Sequence, residues 1–394
     1  MTEEKKKIVV LGIGGGGCKT VKAFTEMVDS DADIQLAVAD TDRRPLSSDF
    51  GNTVQIQLGD GLNCRNGCGA DTALGSKAAG SSVDDFKDLL EGAELVVVTA
   101  GLGRGTGSGG VLVVARIAQQ LGVPALFVVT LPFAFEGNWL VKQADESLKP
   151  LQELSDTVVT VHNDLLFNNL SADTPVQQAF QYADKMLARS LQGLTAIVRA
   201  EWLLTTDFTV IKKTLKKKPA FCYLGMGTGD GEDRVAQAVQ DFIQCPLLGG
   251  EDTLQASDAA IITIMSNEQL SVGELRSALS QLQERFSDET QVLAGACTSS
   301  LRDDAIQITG LICQNFFEPF NSSGERPVKK EGQEEGQKQD KTNSFSNRAE
   351  VQGVLPLQEQ SPGVFSPSNP TAVNGENLDI PTFQRRGIEI DIGS

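Results

Sequence analysis

The run Gly101-Leu102-Gly103-Arg104-Gly105-Thr106-Gly107-Ser108-Gly109 has the composition of an anion trap. It follows an apolar run, Leu95 to Thr99, that reads as a buried strand, and it precedes a helical stretch, Val111 to Leu121. A glycine-rich turn between strand and helix lets backbone N–H groups converge on an anion, and the helix dipole adds positive potential. Thr106 and Ser108 add hydroxyl donors. The glycine order is neither G-x-G-x-x-G nor G-x-x-x-x-G-K-[ST], so the dinucleotide and P-loop patterns fit poorly.

A second glycine run, Gly12-Ile13-Gly14-Gly15-Gly16-Gly17-Cys18-Lys19, ends the first strand and opens the first helix. Its strongest rival reading is a dinucleotide-binding turn, with Asp40 or Asp42 after the second strand as the ribose acid. The second glycine loop argues against that reading, because one dinucleotide unit has no need of two phosphate loops on separate strands. Two loops at the carboxyl edge of one sheet would wrap a polyphosphate. Glu136, in Pro132-Phe133-Ala134-Phe135-Glu136-Gly137, is positioned to accept from a ribose hydroxyl; a structural turn is the competing reading. Asn163 offers an amide to a base edge, and Asp164 reads as the cap of the next turn. Asp184, one turn after Phe180, sets a carboxylate beside an aromatic face, a pair suited to guanine N1–H and N2–H2; the competing reading is a solvated helix face.

The elements that must position these residues alternate. Strands are expected at 7–12, 34–39, 95–99, 125–130 and 158–162, with helices at 18–28, 71–90, 111–121 and 139–154. Such alternation implies an α/β fold with a parallel sheet covered on both faces. Residues 173–201 read as one long helix, with Phe180, Ala183, Leu187, Leu191, Leu194 and Ile197 as a packing stripe. Strands at 220–225, 259–265, 291–298 and 305–313, with helices at 233–243 and 272–286, suggest a smaller α/β unit. The expected division is a first domain over 1–172, a core helix over 173–201, a second domain over 202–317, a disordered linker over 318–376 and a terminal peptide over 377–394. The linker is dense in Gln, Glu, Lys, Ser, Asn, Gly and Pro without any period. Order-promoting residues return at Leu378-Asp379-Ile380-Pro381-Thr382-Phe383-Gln384-Arg385-Arg386, the layout of a partner-binding peptide on a tether.

The chain has 394 residues and a formal net charge of −18, which disfavours non-specific nucleic-acid binding. No apolar run approaches the roughly 20 residues of a membrane span, and the start of the chain lacks the apolar region of a signal peptide. Membrane association is therefore expected through a partner. The 7 cysteines include no C-x-x-C pair and read as reduced thiols. With 1 histidine in the chain, a metal site at Cys64 and Cys68 is not expected.

The order and spacing of GIGGGGCKTV, GLGRGTGSG, TLPFAFEG, HNDLL, AFQYADKML with LQGL, and TTDFTVI with GMGTGDGEDR resemble the tubulin/FtsZ family, and the linker with LDIPTFQRR is similar to its FtsZ branch. The resemblance covers roughly residues 7–315 and resumes at 378–386. It implies a Mg²⁺-dependent GTPase that polymerises head to tail, binding GTP or GDP against Gly14, Gly15, Gly16, Gly17 and Cys18, against Gly69, Ala70 and Asp71, along Gly101, Gly103, Arg104, Gly105, Thr106, Gly107 and Ser108, and at Glu136, Asn163, Phe180 and Asp184. It implies hydrolysis between subunits, with Thr205 and Asp207 of one facing the nucleotide of the next. It also implies a cytoplasmic ring at midcell, tethered through Leu378–Arg386 to an anchor resembling FtsA or ZipA.

Departures from the family pattern carry their own expectations. The catalytic loop usually reads N-x-D-x-A-D; here Thr205 replaces the Asn, Asp207 stays, and Val210 replaces the second Asp, so slow hydrolysis is expected. An arginine one turn after the ribose-contacting Glu is replaced by Leu140. Arg104 stands where the glycine loop usually has glycine, either reaching the phosphates in compensation or facing solvent. Lys212, Lys213, Lys216, Lys217 and Lys218 read as a solvated helix face.

Overall fold

A computed structural model describes residues 7–28, 34–47, 50–62, 64, 66–155, 157–167, 170–171, 173–199, 202–204, 221–267, 270–298, 304–314, 372–373 and 376–377. Thr205, Asp207, Val210, the lysine cluster at 212–218, the linker up to residue 371 and the Leu378–Arg386 peptide lie outside the described residues.

The first half alternates as the sequence leads one to expect. The strands are β1 (Ile8–Ile13), β2 (Ile34–Asp40), β3 (Val54–Gln57), β4 (Leu95–Gly101), β5 (Ala125–Leu131) and β6 (Thr157–His162). The helices are α1 (Gly14–Thr25), α2 (Arg43–Leu46), α3 (Thr72–Gly80), α4 (Val83–Leu90), α5 (Gly105–Leu121), α6 (Asn138–Leu154) and α7 (Asn163–Phe167). After them come α8 (Val176–Arg199), β7 (Trp202–Leu204), β8 (Phe221–Gly229), α9 (Arg234–Ile243), α10 (Asp252–Gln255), β9 (Ala259–Ser266), α11 (Val272–Gln283), β10 (Gln291–Thr298) and β11 (Ile306–Gln314). In the separate C-terminal unit, Ala372–Val373 pairs antiparallel with Glu376–Asn377, at the end of the stretch read as linker.

One sheet runs through both halves, in the order β3-β2-β1-β4-β5-β6-β8-β11-β9-β10-β7. From β3 to β8 every neighbour is parallel. Beyond β8 the pattern mixes, with β11 antiparallel to both β8 and β9. The halves join where Val158 pairs with Phe221 and Val159 with Cys222.

Strand residues alternate between two cores, because side chains leave a strand on opposite faces with period two. Ile8 and Val10 pack with Val21 and Phe24 of α1 and with Leu187 and Leu191 of α8. Val9, Leu11 and Ile13 pack on the other face with Phe86, Val111 and Val114. The helix after β1 therefore covers one face and the helix after β4 the other. The carboxyl ends of β1 and β4, adjacent in the sheet, form a topological switch point, where α/β sheets leave a crevice for ligands.

Three expectations need correction. The single helix expected over 71–90 is two, broken at Ser81-Ser82, where the Ser81 hydroxyl donates to the Ala78 carbonyl and ends α3. Phe180 is not part of the packing stripe: it is 39% exposed, while Ala183, Leu187, Leu191 and Leu194 are buried. Both helices that follow glycine runs begin inside those runs, α1 at Gly14 and α5 at Gly105.

Candidate nucleotide cleft

The glycines of α5 serve close packing more than turn formation. A Cβ on Gly105 would lie 2.6 Å from the Asp71 carbonyl oxygen, one on Gly107 2.2 Å from that of Gly101, and one on Gly109 2.3 Å from the Ser76 nitrogen. Bare backbone thus lets α3 and the end of β4 press against the first turns of α5. The turn proper is short, and Gly103, at φ +96°, takes its left-handed position.

This packing also fixes how the helices end. Ile13 precedes α1 and Arg104 precedes α5, and neither caps its helix with a side chain. The first N–H groups of a helix have no partner within it. At α3 and α11, Asp71 and Ser271 supply one. At α1 and α5 the first turns instead open on a cleft of about 470 Å³. The two helix starts meet there: a Cβ on Gly14 would sit 3.1 Å from the Gly107 nitrogen. Two dipole-positive ends converging on one space favour an anion of several charges.

Gly14, Gly15 and Gly16 line the cleft from one side, and Gly101, Arg104 and Gly107 from another. Glu136, Asn163, Phe180 and Asp184 complete it. Several residues read from the sequence as contacts are not among this lining. The Cys18 thiol is buried, points at the Gly12 and Ala39 carbonyls, and is pushed well above the usual thiol range by burial. Gly17 packs on β4, where a Cβ would be 2.2 Å from the Thr99 oxygen. The Gly69 carbonyl accepts from Gly105 N–H, the Ala70 carbonyl from the Gln143 amide, and Asp71 caps α3.

The hydroxyls expected to face an anion are engaged elsewhere. Thr106 shares a 2.8 Å hydrogen bond with Thr41, and Ser108 accepts from Gly103 N–H at 2.9 Å. They build the turn, and the backbone is left to face the cleft. Asp164 does not cap the next turn: it lies in the first turn of α7, and its carboxylate accepts from Ala134 N–H. Asp42, the rival ribose acid, accepts from Arg44 N–H and pairs with the Arg44 guanidinium. Arg104 is 70% exposed and pairs with Glu136 at 2.9 Å, so the cation and carboxylate expected to meet phosphate and ribose hold each other at the cleft rim. The other Glu136 oxygen accepts from Phe133 N–H.

At the far end the cleft is built from side chains. Phe133, Phe167 and Phe180 form an aromatic cluster, with ring centroids 4.4 Å apart for Phe133 and Phe167 and 5.3 Å for Phe133 and Phe180. Asp184 is half-buried beside it, and desolvation raises its pKa to about 6 against the pull of Lys19. Asp40, under Gly15, is also raised to about 6 by burial. Sequence reasoning assigned no role to Lys19 or Phe133. Lys19 stands one helical turn after Gly15 on the same face of α1, a spacing that would have revealed it once α1 was started at Gly14.

Comparisons with known proteins agree in kind. The GTPase domain of the tubulin/FtsZ family matches residues 7–171, and the C-terminal domain of the FtsZ family matches residues 221–314. The cell division protein FtsZ of Aquifex aeolicus is 30% identical over 323 residues, covering 82% of this chain and 86% of its own. That of Coxiella burnetii is 29% identical over 389 residues, covering 97% of each. Among solved structures, an empty FtsZ dimer from M. jannaschii superposes with a TM-score of 0.72 at 28% identity, over 79% of this chain and 89% of that one. A GTPγS-bound protofilament of CetZ2 from Haloferax volcanii shares the fold, with a TM-score of 0.62 at 22% identity, over 78% and 92% of the two chains.

Proposed function

Because the chain belongs to the FtsZ family of tubulin-like GTPases, we propose that its GTP lies in the cleft between α1, α5 and α8 and that it is hydrolysed between subunits of a head-to-tail filament that scaffolds the division ring. The observation that carries this reading is the convergence of two helix starts without side-chain caps on a cleft whose other end holds Asp184. The triphosphate lies against the N–H groups of Gly15, Gly16 and Gly107. The ribose meets Glu136 once its pairing with Arg104 opens. The base lies by Asn163, Phe180 and Asp184. Mg²⁺ would be held chiefly by phosphate oxygens and water, as is usual for this ion. When bound, it neutralises charge on the phosphates during transfer.

Asp207 of the neighbouring subunit is the group that orients the attacking water, with Thr205 beside it. A contact of this head-to-tail kind does not close on itself and builds an open filament. The dimer and protofilament among the structural relatives support self-association. Domain limits at 172, 201 and 317, a tail that meets an anchor resembling FtsA or ZipA, and a midcell location belong to the same proposal. No described helix is long and apolar enough to cross a membrane.

Val210 favours a second reading, a GTP-binding scaffold with very slow turnover, because valine neither orients water nor binds a cation. Light scattering recorded in parallel with phosphate release, with Mg²⁺ and GTP or GDP, separates the two. Assembly with GTP that decays as phosphate appears is the expected result. Assembly that persists with no phosphate above a protein-free blank would replace the hydrolytic reading with the scaffold, and no assembly with either nucleotide would remove the polymer.

A further inference from the structure

We propose that Cys222 and Cys313 form an oxidative modification site, closing to a disulfide with hydrogen peroxide as the oxidant and fastening β8 to β11. The inference goes beyond the nucleotide reading and does not depend on it. The two residues are 91 apart in sequence and pair directly across the antiparallel ladder of β8 and β11. The Cys222 thiol donates to the Cys313 sulfur at 3.1 Å, and each residue is 3% exposed. Directly opposed residues of an antiparallel pair hold their Cα atoms about 4.5–5.5 Å apart, inside the range a disulfide spans. The sulfurs need to approach by only about 1 Å to reach bonding distance, so the strands stay in register. The nearest rival is Cys64 with Cys68, close enough to act on each other. Their thiols are aimed elsewhere, at the Gly59 carbonyl and the Thr41 hydroxyl.

The surroundings set the chemistry and its pace. Val159, Cys222, Cys313 and Ala259 form one row across β6, β8, β11 and β9, buried in the core that α8 covers. Donation to Cys313, and then burial, push the Cys222 thiol well above its ordinary range, so the nucleophilic thiolate is scarce and oxidation is slow. A bulky disulfide reagent has no approach to sulfurs so covered, whereas hydrogen peroxide needs little more room than water. The pair stands one residue from the end of the ladder, at Phe221 and Gln314, where openings are easiest. One thiolate attacks a peroxide oxygen, the O–O bond breaks, and a sulfenic acid and water form. The second thiol attacks the sulfenic sulfur and expels a second water. Two S–H bonds and one O–O bond thus give one S–S bond and two water molecules, the peroxide taking both electrons. The bond closes a loop that holds α9, α10, β9, α11 and β10, and closing so long a loop restricts the unfolded chain strongly.

The test uses the full-length protein, kept in excess hydrogen peroxide for a day. Free thiols are then blocked and counted under denaturing conditions, and the chain is digested without reductant for mass spectrometry. Free thiols should fall by two from 7, and one linked peptide should join Cys222 to Cys313. The melting temperature should rise by about 5 °C or more and return with dithiothreitol, which reverses a disulfide and not methionine sulfoxide. Cys313→Ala should remove the linked peptide and the rise together; if that variant does not fold, the peptide map of the native chain decides. An unchanged thiol count, sulfinic acid at either sulfur, or a bond between Cys64 and Cys68 instead would overturn the proposal. A bond between Cys222 and Cys313 that lowers the melting temperature would overturn it too, by showing that the strands must distort to make it.

Discussion

The two ends of the cleft are built by opposite means. At the phosphate end the contacts are backbone: the hydroxyls of Thr106 and Ser108 are spent inside the turn, and Gly17, Gly105 and Gly107 are packed so tightly that no Cβ fits. At the base end the contacts are side chains, Asp184, Asn163, Phe180 and Lys19. An end made of backbone binds any polyphosphate and, at the packed glycines, tolerates no added atom. An end made of side chains tolerates exchange and answers with altered selectivity.

The largest effect should come from placing a methyl at the phosphate end. Gly107→Ala drives its Cβ into the Gly101 carbonyl, which should cost about 3 kcal/mol or more of stability and abolish nucleotide binding, as thermal unfolding and GDP titration would record. A near-native melting temperature would break the comparison at its stronger side. Asp184→Asn should do the reverse, lowering GTP affinity about a hundredfold through a lost charge-assisted pair of hydrogen bonds. The melting temperature of the nucleotide-free protein should stay equal or rise, because a desolvated charge is gone.

Protonation offers a finer probe. The Asp184 carboxyl has a folded pKa of about 6 against 3.8 for an unperturbed aspartate. The folded state thus holds the proton more tightly, and this contribution to stability is fully present below the unfolded value and lost as pH rises through 6. Binding runs the other way, since guanine donors need the carboxylate. GTP affinity should fall about tenfold from pH 7 to pH 5 in the native chain relative to Asp184→Asn. Taking the ratio to the Asn variant cancels the phosphate titration and that of Asp40 under Gly15, whose protonation favours an anion. The smallest effect belongs to Arg104→Gly: an exposed ion pair at the rim should change GTP affinity less than about fivefold, and less again in high salt. A much larger loss in GTP binding or turnover would mean that Arg104 leaves Glu136 for the phosphates.

The parallel half of the fold was legible because its signals are local. Buried strands such as Leu95–Gly101 are unbroken apolar runs, and the helices between them carry their own period. The starts of α1 and α5 were misread for one physical reason: glycine in sequence suggests a turn, and only tertiary packing shows it as a helix residue without a side chain. That packing spans long stretches of chain, as when Thr41 meets Thr106, and leaves no local trace. The short strand β3 and the antiparallel placing of β11 between β8 and β9 were hidden likewise, since pairing partners are chosen across the whole molecule. Asp184 could be read because a carboxylate stands one turn from an aromatic ring; its neighbour Lys19 could not, because α1 was begun too late.

The seam between β6 and β8 has a mechanical consequence. Among the described residues eleven strands share one sheet, yet β6 meets β8 only through Val158–Phe221 and Val159–Cys222, whereas β8 is matched to β11 along its whole length. Two stiff plates are thus joined by a compliant strip. Across it lies α8, pressed so closely on β11 that a Cβ on Gly193 would come 2.1 Å from the Thr309 hydroxyl, and held further by the Gln307 side chain on the Arg189 carbonyl. A twisting load on the far plate bends the strip first, and α8 carries the displacement as a rod towards Asp184.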